Sequence, residues 1–341
     1  MQNGLVSILI PFKNTEIYLS DCLDSIINQS YGHWEVLIVD DHSTDSSYQL
    51  VAQYALKDKR IKLLKNNGTG IIDALRLAFA NSQGEFITRM DSDDIMHPDK
   101  LNILASNLTT FGKKHVAVGL VKYFSKEGIQ EGYKSYENWL NRLTQTGDNY
   151  TEIYKECVIP SPCWMVHRDD LMACGAFDHD RYPEDYDLTF RFYKHQFKCI
   201  PCDTVLHFWR DYSTRTSRTH VHYAQNHFTS LKIHFFLDID YNKTKTLTIW
   251  GAGTKGKIIA KTLVEKDIPF EWICDNPNKI GRAIYGKTLK AFNELKHIKN
   301  PQSIVTVANK KAQKEIRSFL SELNLKPVED YVFFCWFFKY F

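Results

Sequence analysis

The sequence predicts an α/β protein: a Rossmann-like, mostly parallel central sheet with helices between its strands, then a small C-terminal Rossmann-like α/β domain. Three observations carry this. Apolar strand-like runs alternate with helical periods through the first hundred residues. A fresh strand, glycine turn and helix begin at Leu247 after a polar break. The length of 341 residues exceeds what one ordinary core holds, so two domains are expected.

The elements follow in order. Val6-Ser7-Ile8-Leu9-Ile10 reads as a buried strand, and Tyr18, Cys22, Leu23, Ile26 and Ile27 then fall at helical spacing. Residues 34–39 form a second apolar run that stops at Asp40-Asp41. Ser43, Thr44 and Asp45 are placed to cap a helix through Leu50, Val51, Tyr54 and Ala55, and residues 61–64 supply a third strand. After the turn Asn66-Asn67-Gly68-Thr69-Gly70, a helix is expected over 71–81. Residues 85–90 make a fourth strand running into Asp91-Ser92-Asp93-Asp94.

Residues 115–225 are less regular and rich in aromatics, as expected of a binding half laid beside a nucleotide half. The one clear helix there begins at Pro183-Glu184-Asp185-Tyr186-Asp187-Leu188. A helical stretch over 220–237, with His222, Tyr223, His227 and His234, precedes the polar break at 240–245. The expected domains are therefore 1–240 and 244–341. In the second, Leu247-Thr248-Ile249-Trp250 runs into Gly251-Ala252-Gly253-Thr254-Lys255-Gly256. A helix and a strand over 270–274 follow, ending at Asp275. This G-x-G-x-x-G turn with an acid at the next strand end makes Gly251, Gly253, Gly256 and Asp275 a candidate nucleotide site, although the same turn also serves helix packing. A further strand is expected at 304–308. The aromatic end, 331–341, reads as a closing strand or an interfacial foot that contacts a membrane peripherally.

Composition narrows the class. Forty-three Lys and Arg against 40 Asp and Glu leave +3, so no overall field draws the chain to nucleic acid. The first residues lack a charged leader with an apolar run, and no stretch approaches the roughly 18–20 apolar residues of a membrane helix. A cytoplasmic protein is expected, with a peripheral contact at the inner membrane face as the alternative. Eight dispersed cysteines read as free thiols of a reducing compartment. Cys199 and Cys202 form a lone CxxC inside an apolar run, without a second ligand pair at finger spacing.

Three acidic constellations carry chemistry. Asp91-Ser92-Asp93 closes a predicted strand, where parallel sheets bind ligands. Two carboxylates one residue apart suit Mg2+ or Mn2+ bridging a diphosphate. Asp40-Asp41 closes the second strand, where a carboxylate can accept from a base imide or a ribose hydroxyl. Glu184-Asp185 opens a helix, and a carboxylate there can take the proton of an attacking hydroxyl.

Val6-Ser7-Ile8-Leu9-Ile10-Pro11-Phe12-Lys13-Asn14, Val39-Asp40-Asp41-His42-Ser43-Thr44-Asp45, Met90-Asp91-Ser92-Asp93-Asp94 and Pro183-Glu184-Asp185-Tyr186-Asp187-Leu188, in this order, resemble the family 2 glycosyltransferases over residues 5–225. The resemblance implies a GT-A fold, a nucleotide-sugar donor and transfer with inversion. It places Pro11 near the nucleoside and Asp41 at the base, commonly uracil. Asp93 becomes the direct metal ligand, Asp91 lies beside the ribose and metal, and Asp185 is the base. Gly70 and Arg210 join the donor-binding set. Many relatives carry a histidine two residues after the arginine at Arg210; here Tyr212 stands there, and strand alternation turns His207 to the other face. Ser213, Arg215 and Arg218 are placed to close over a diphosphate, and aromatics in 133–150 and 158–164 to recognise an acceptor.

The chain as a whole is similar to the queuosine-tRNA galactosyltransferases and their bacterial relatives, through Asn138-Trp139-Leu140-Asn141-Arg142-Leu143-Thr144 and the domain starting at Ile249. That similarity implies UDP-galactose and a modified tRNA nucleoside. The terminal domain also looks like the nucleotide-binding module of sugar O-acyltransferases. The reading is a metal-dependent transferase acting on a surface glycan or lipid-linked acceptor. The tRNA acceptor is an alternative, and an NAD-dependent oxidoreductase or nucleotide-binding module centred on Gly251 is a rival of another class.

Overall fold

The structure is a computed structural model that describes residues 4–215 and 225–336. The chain divides into two compact units, Met1–Asn149 with Val158–Arg218, and Tyr150–Cys157 with Thr219–Phe341. The helix at Gln225–Phe235, expected in the first domain, therefore clusters with the second. Arg218, His222, Tyr223 and residues 337–341 lie outside the described residues, as does the side chain of His227.

The first unit begins β1 (Val6–Phe12), α1 (Glu16–Ile27), β2 (Trp34–Asp40), α2 (Ser47–Lys57), β3 (Ile61–Lys65), α3 (Ile71–Ala80) and β4 (Phe86–Arg89). β1 lies between β2 and β4, parallel to both, with β3 beyond β2. Val6, Ile8, Leu9, Ile10 and Val36, Leu37, Ile38, Val39 are completely buried. Strands covered on both faces read as continuous apolar runs, which is why the sequence located them. The strand order turns back at β1, since β2 and β3 extend to one side and β4 to the other. The carboxyl ends of β1, β2 and β4 therefore open on one crevice.

Next come β5 (Ile95–Met96), α4 (Lys100–Phe111), β6 (His115–Val118), β7 (Leu120–Phe124), α5 (Glu131–Thr146), β8 (Trp164–His167), α6 (Arg168–Ala173), α7 (Glu184–Lys194), β9 (Lys198–Ile200) and β10 (Val205–Arg210). The main sheet runs β3-β2-β1-β4-β8-β6-β9, with β8 antiparallel to both neighbours, and β5-β10-β7 form a small second sheet. α5 corrects the expectation of a single clear helix in this region. Its Tyr133, Tyr136, Leu140 and Leu143 recur at three- and four-residue spacing and are buried. Tyr123 stacks on Trp209 at 5.0 Å between ring centres, with Tyr133 and Tyr136 packed around the pair. These aromatics build core, and so does buried Trp164, which meets Phe192 edge to face.

The second unit contains α8 (Gln225–Phe235), β11 (Thr246–Trp250), α9 (Thr254–Glu265), β12 (Glu271–Cys274), β13 (Ala283–Ile284), β14 (Lys287–Ala291), β15 (Pro301–Val305), α10 (Lys310–Glu322) and β16 (Tyr331–Phe333). Its sheet runs β13-β14-β12-β11-β15-β16, parallel except for the β13–β14 hairpin. The core gathers Trp250, Ile273, Leu295, Val305, Ile316, Leu320, Tyr331 and Phe333. The strand expected at 304–308 forms earlier, at Pro301–Val305, because proline is tolerated as a strand's first residue and the strand pairs with β11 from Thr246 onward. No helix among the described residues is long and apolar enough to cross a membrane.

Candidate active site

The crevice is built from strand ends. Beyond β2, Asp41 is buried, and its Oδ1 accepts hydrogen bonds from the Asn66 side chain at 2.7 Å and the Gly70 N–H at 2.8 Å. Lys13 approaches Oδ2 at 3.8 Å. Gly70 has φ +89°, and a Cβ there would meet the Tyr182 hydroxyl at 3.3 Å, so this turn needs glycine. Asn66 also accepts the Gly68 N–H at 3.1 Å, fixing the loop from inside. Asp40 serves the turn instead, accepting the Ser43 N–H at 3.1 Å. The expected capping of α2 by residues 43–45 takes another form. Asp45 Oδ1 accepts the Ser47 N–H at 3.0 Å, while Ser43 and Thr44 bond Asn14 and so staple the loop after β1 to the loop after β2. Pro11 lies half-buried at the end of β1, opposite Val39.

β4 delivers the aspartates, and each meets a different partner. Arg89 donates to Asp91 Oδ1 from Nε at 3.2 Å and from its terminal nitrogen at 3.0 Å, and to Glu184 Oε1 at 2.9 Å. Against the penalty of burial, Arg89 and Arg215 hold Asp91 below the usual carboxylate range. The Tyr212 hydroxyl donates to Asp93 Oδ2 at 2.8 Å. Burial, with Asp94 and Asp91 beside it, pushes Asp93 up to about 7. Asp94 is completely buried and accepts the Arg210 N–H at 2.7 Å. The Arg210 guanidinium braces the loop: Nε donates to the Asp93 carbonyl at 2.7 Å, a terminal nitrogen reaches Asp21 at 2.8 Å, and the group lies 4.7 Å from the Tyr18 and Phe124 rings.

The acids opening α7 divide their work. Asp187 pairs with Arg191 at 2.7 Å and Glu184 with Arg89, both buried. The Asp185 carboxylate accepts the adjacent Tyr186 N–H at 2.8 Å, and the Asp185 carbonyl takes the Thr189 hydroxyl at 2.9 Å. Burial and the Glu184 carboxylate push Asp185 up to about 7, against the pull of Arg89. Arg89 thus gathers Asp91 and the first turn of α7 into one network. Neither Arg89 nor Asn66 belongs to a motif. The usable signal was an arginine inside an otherwise apolar strand, which must find an acid.

Oxygen ligands suit a hard divalent cation, and Asp91 and Asp93 supply them from one loop. No three Asp, Glu, His or Cys side chains among the described residues converge to hold a metal alone.

In the second unit, Gly251 has φ +112° and abuts Thr306, while a Cβ at Gly256 would collide with the Gly251 carbonyl. Two of the three glycines are thus required by packing. Gly253 faces open space, Asp275 is exposed, and Lys279 donates to the Ala252 carbonyl at 2.8 Å.

Residues 7–175 match the family model described as Glycosyl transferase family 2, a span that holds Pro11, Asp41, Gly70, Asp91 and Asp93. Residues 7–175 form a glycosyltransferase family 2 domain. The chain is 28% identical to glycosyltransferase GlyA of Streptococcus pneumoniae serotype 4 over 211 residues, 60% of this chain and 30% of GlyA. It is 38% identical over 107 residues to UDP-Glc:alpha-D-GlcNAc-diphosphoundecaprenol beta-1,3-glucosyltransferase WfgD of Escherichia coli, 31% of this chain and 42% of WfgD. The chain therefore spans less than half the length of these two relatives. Among solved structures, S. aureus TarS in complex with UDP-GlcNAc aligns with TM-score 0.52 and 19% identity, over 76% of this chain and 71% of that one. The Pyrobaculum calidifontis mannosyltransferase PcManGT in complex with GDP-Man and Mn2+ gives TM-score 0.52 and 17% identity, over 70% and 64%. The family 2 unit has the GT-A fold.

Proposed function

We propose that this family 2 glycosyltransferase moves a sugar from a UDP-linked donor to an acceptor hydroxyl with inversion, in the synthesis of a surface glycan or its lipid-linked precursor. The Arg89 bridge carries the reading, because it draws the α7 turn bearing Asp185 to the loop bearing Asp91 and Asp93. Asp41, with Oδ1 engaged by Asn66 and Gly70, offers Oδ2 to the imide N–H of a uracil; Pro11 and Gly70 border the nucleoside. Asp185 removes the acceptor proton as the oxygen attacks, and its position near 7 makes it both ionised and basic enough at neutral pH. Asp93 and Asp91 would hold Mn2+ or Mg2+, which when bound offsets charge on the departing diphosphate. Arg210 keeps that loop in place.

WfgD's UDP-Glc donor and diphosphoundecaprenol-linked acceptor, the UDP-GlcNAc in TarS and the Mn2+ in PcManGT support donor, acceptor class and metal in turn. The test is calorimetric titration of UDP, GDP, CDP, TDP and NAD, each with and without Mn2+. UDP binding that needs Mn2+ and is lost in Asp93→Ala is expected. NAD binding without any nucleoside diphosphate would move the chemistry to Gly251 and overturn the reading.

A further inference from the structure

A buried polar array lies behind the aspartate motif. Lys100 at the start of α4, His207 within β10 and Asp94 in the β4–β5 loop are each completely buried. Lys100 Nζ donates to the Pro162 carbonyl at 2.5 Å and lies 3.3 Å from His207 Nδ1; His207 Nε2 lies 2.9 Å from Asp94 Oδ2. An ammonium has donors only, so Nδ1 accepts and the imidazole proton sits on Nε2, facing the carboxylate. Burial and the Lys100 charge hold His207 well below its usual range, in keeping with a neutral ring. The other Asp94 oxygen takes the Arg210 N–H, and Arg210 Nε returns to the Asp93 carbonyl. An unbroken chain of hydrogen bonds thus joins the metal-motif loop to the segment leading into β8.

Desolvating an ammonium and a carboxylate commonly costs more than their pairing returns, so stability is a poor explanation for such an array. What apolar packing would not supply is a fixed register between two loops. We propose that Lys100, His207 and Asp94 are positioning residues that couple the Asp91–Asp93 loop to the Pro162 segment, setting the separation between donor and acceptor. This rests on the functional reading above, which places the diphosphate at Asp91 and Asp93, and on the sequence expectation that residues 158–164 help recognise the acceptor.

The coupling is tested with Asp94→Asn and Lys100→Met, one change at each end of the array. Hydrogen exchange is followed in peptides covering 90–97 and 158–165, beside calorimetric titration with UDP and Mn2+. Each variant is expected to accelerate exchange about tenfold or more in both peptides, including the one it does not touch, and to weaken UDP binding about tenfold. Acceleration confined to the altered loop overturns the proposal. So does uniform acceleration across the unit, the mark of lost stability alone, and so does UDP binding of wild-type strength in both variants. Should Asp94→Asn not fold, Lys100→Met poses the same question from the other end. Failure of the wild type to take UDP overturns the donor reading, while the exchange pattern still decides the coupling.

Discussion

Arg89 and Glu184, 95 residues apart in the chain, meet at 2.9 Å with both side chains buried. The same guanidinium holds Asp91, so one cation fixes the end of β4 against the start of α7. Removing one member of a buried pair leaves the rest uncompensated, commonly at about 3–5 kcal/mol. Arg89→Met should therefore lose about that much stability in denaturant unfolding at neutral pH. Arg89→Lys, with charge but no fork to span both acids, should lose less. A loss below about 1 kcal/mol in Arg89→Met would show that the bridge does not hold the site.

Asp185 stands at about 7 because it is buried beside Glu184. A base works only when ionised, so transfer should rise with pH to a plateau above about 7. Glu184→Gln removes the like charge and should move the midpoint down. Asp185→Asn should bind donor and transfer nothing. A kcat profile flat from pH 5 to 8 would exclude Asp185 as the base.

The same acids govern stability. Asp93 and Asp185 are raised to about 7 from 3.8, so the folded chain keeps protons that the unfolded chain releases. Their contribution is full below about 4 and is lost as pH rises through about 7. Asp91, held low, acts oppositely and is lost only at acid pH. The metal-free protein should therefore melt lower at pH 8 than at pH 5.5, and Asp93→Asn should flatten the difference, as scanning calorimetry in chelator would register.

These acids stood out in the sequence because a parallel sheet ends its apolar strands at the ligand crevice, so Val39-Asp40-Asp41 and Met90-Asp91-Ser92-Asp93 mark two strand ends by polarity alone. Their partners did not. Arg89 and Glu184 find each other only through the fold, and Asn66 works from a turn whose sequence shows no more than a bend. α5 was legible in the helical spacing of Tyr133, Tyr136, Leu140 and Leu143, but its aromatics read equally as an acceptor surface. In the second unit, the glycine turn is legible as a turn, but Gly251 and Gly256 answer to close backbone contact.

Gly70 joins backbone to recognition. Its φ of +89° disfavours any side chain, and its N–H is one of two donors that orient Asp41. Gly70→Ala should destabilise by about 1–2 kcal/mol through strain and weaken UDP by releasing Asp41. Asn66→Ala, without the strain, should weaken UDP while shifting the melting temperature less. UDP affinity of wild-type strength in both variants would remove Asp41 from base recognition.

Tyr212 offers the sharpest test of the metal reading. Its hydroxyl holds Asp93 Oδ2 at 2.8 Å, and its ring packs 4.8 Å from Tyr18, where resembling enzymes place a histidine. Tyr212→Phe keeps the ring contact and deletes the hydrogen bond that lowers Asp93, so Asp93 should protonate more readily and Mn2+ should bind more weakly at pH 7 with UDP present. Tyr212→His replaces a hard oxygen with an imidazole nitrogen, a change that favours Mn2+ over Mg2+. Titrations with each cation and UDP should rank Mn2+ affinity as Tyr212→His, wild type, Tyr212→Phe, with the Mn2+ to Mg2+ ratio largest in Tyr212→His. If all three chains bind both cations alike, Asp93 is not in the metal shell, and the role falls to another part of the motif.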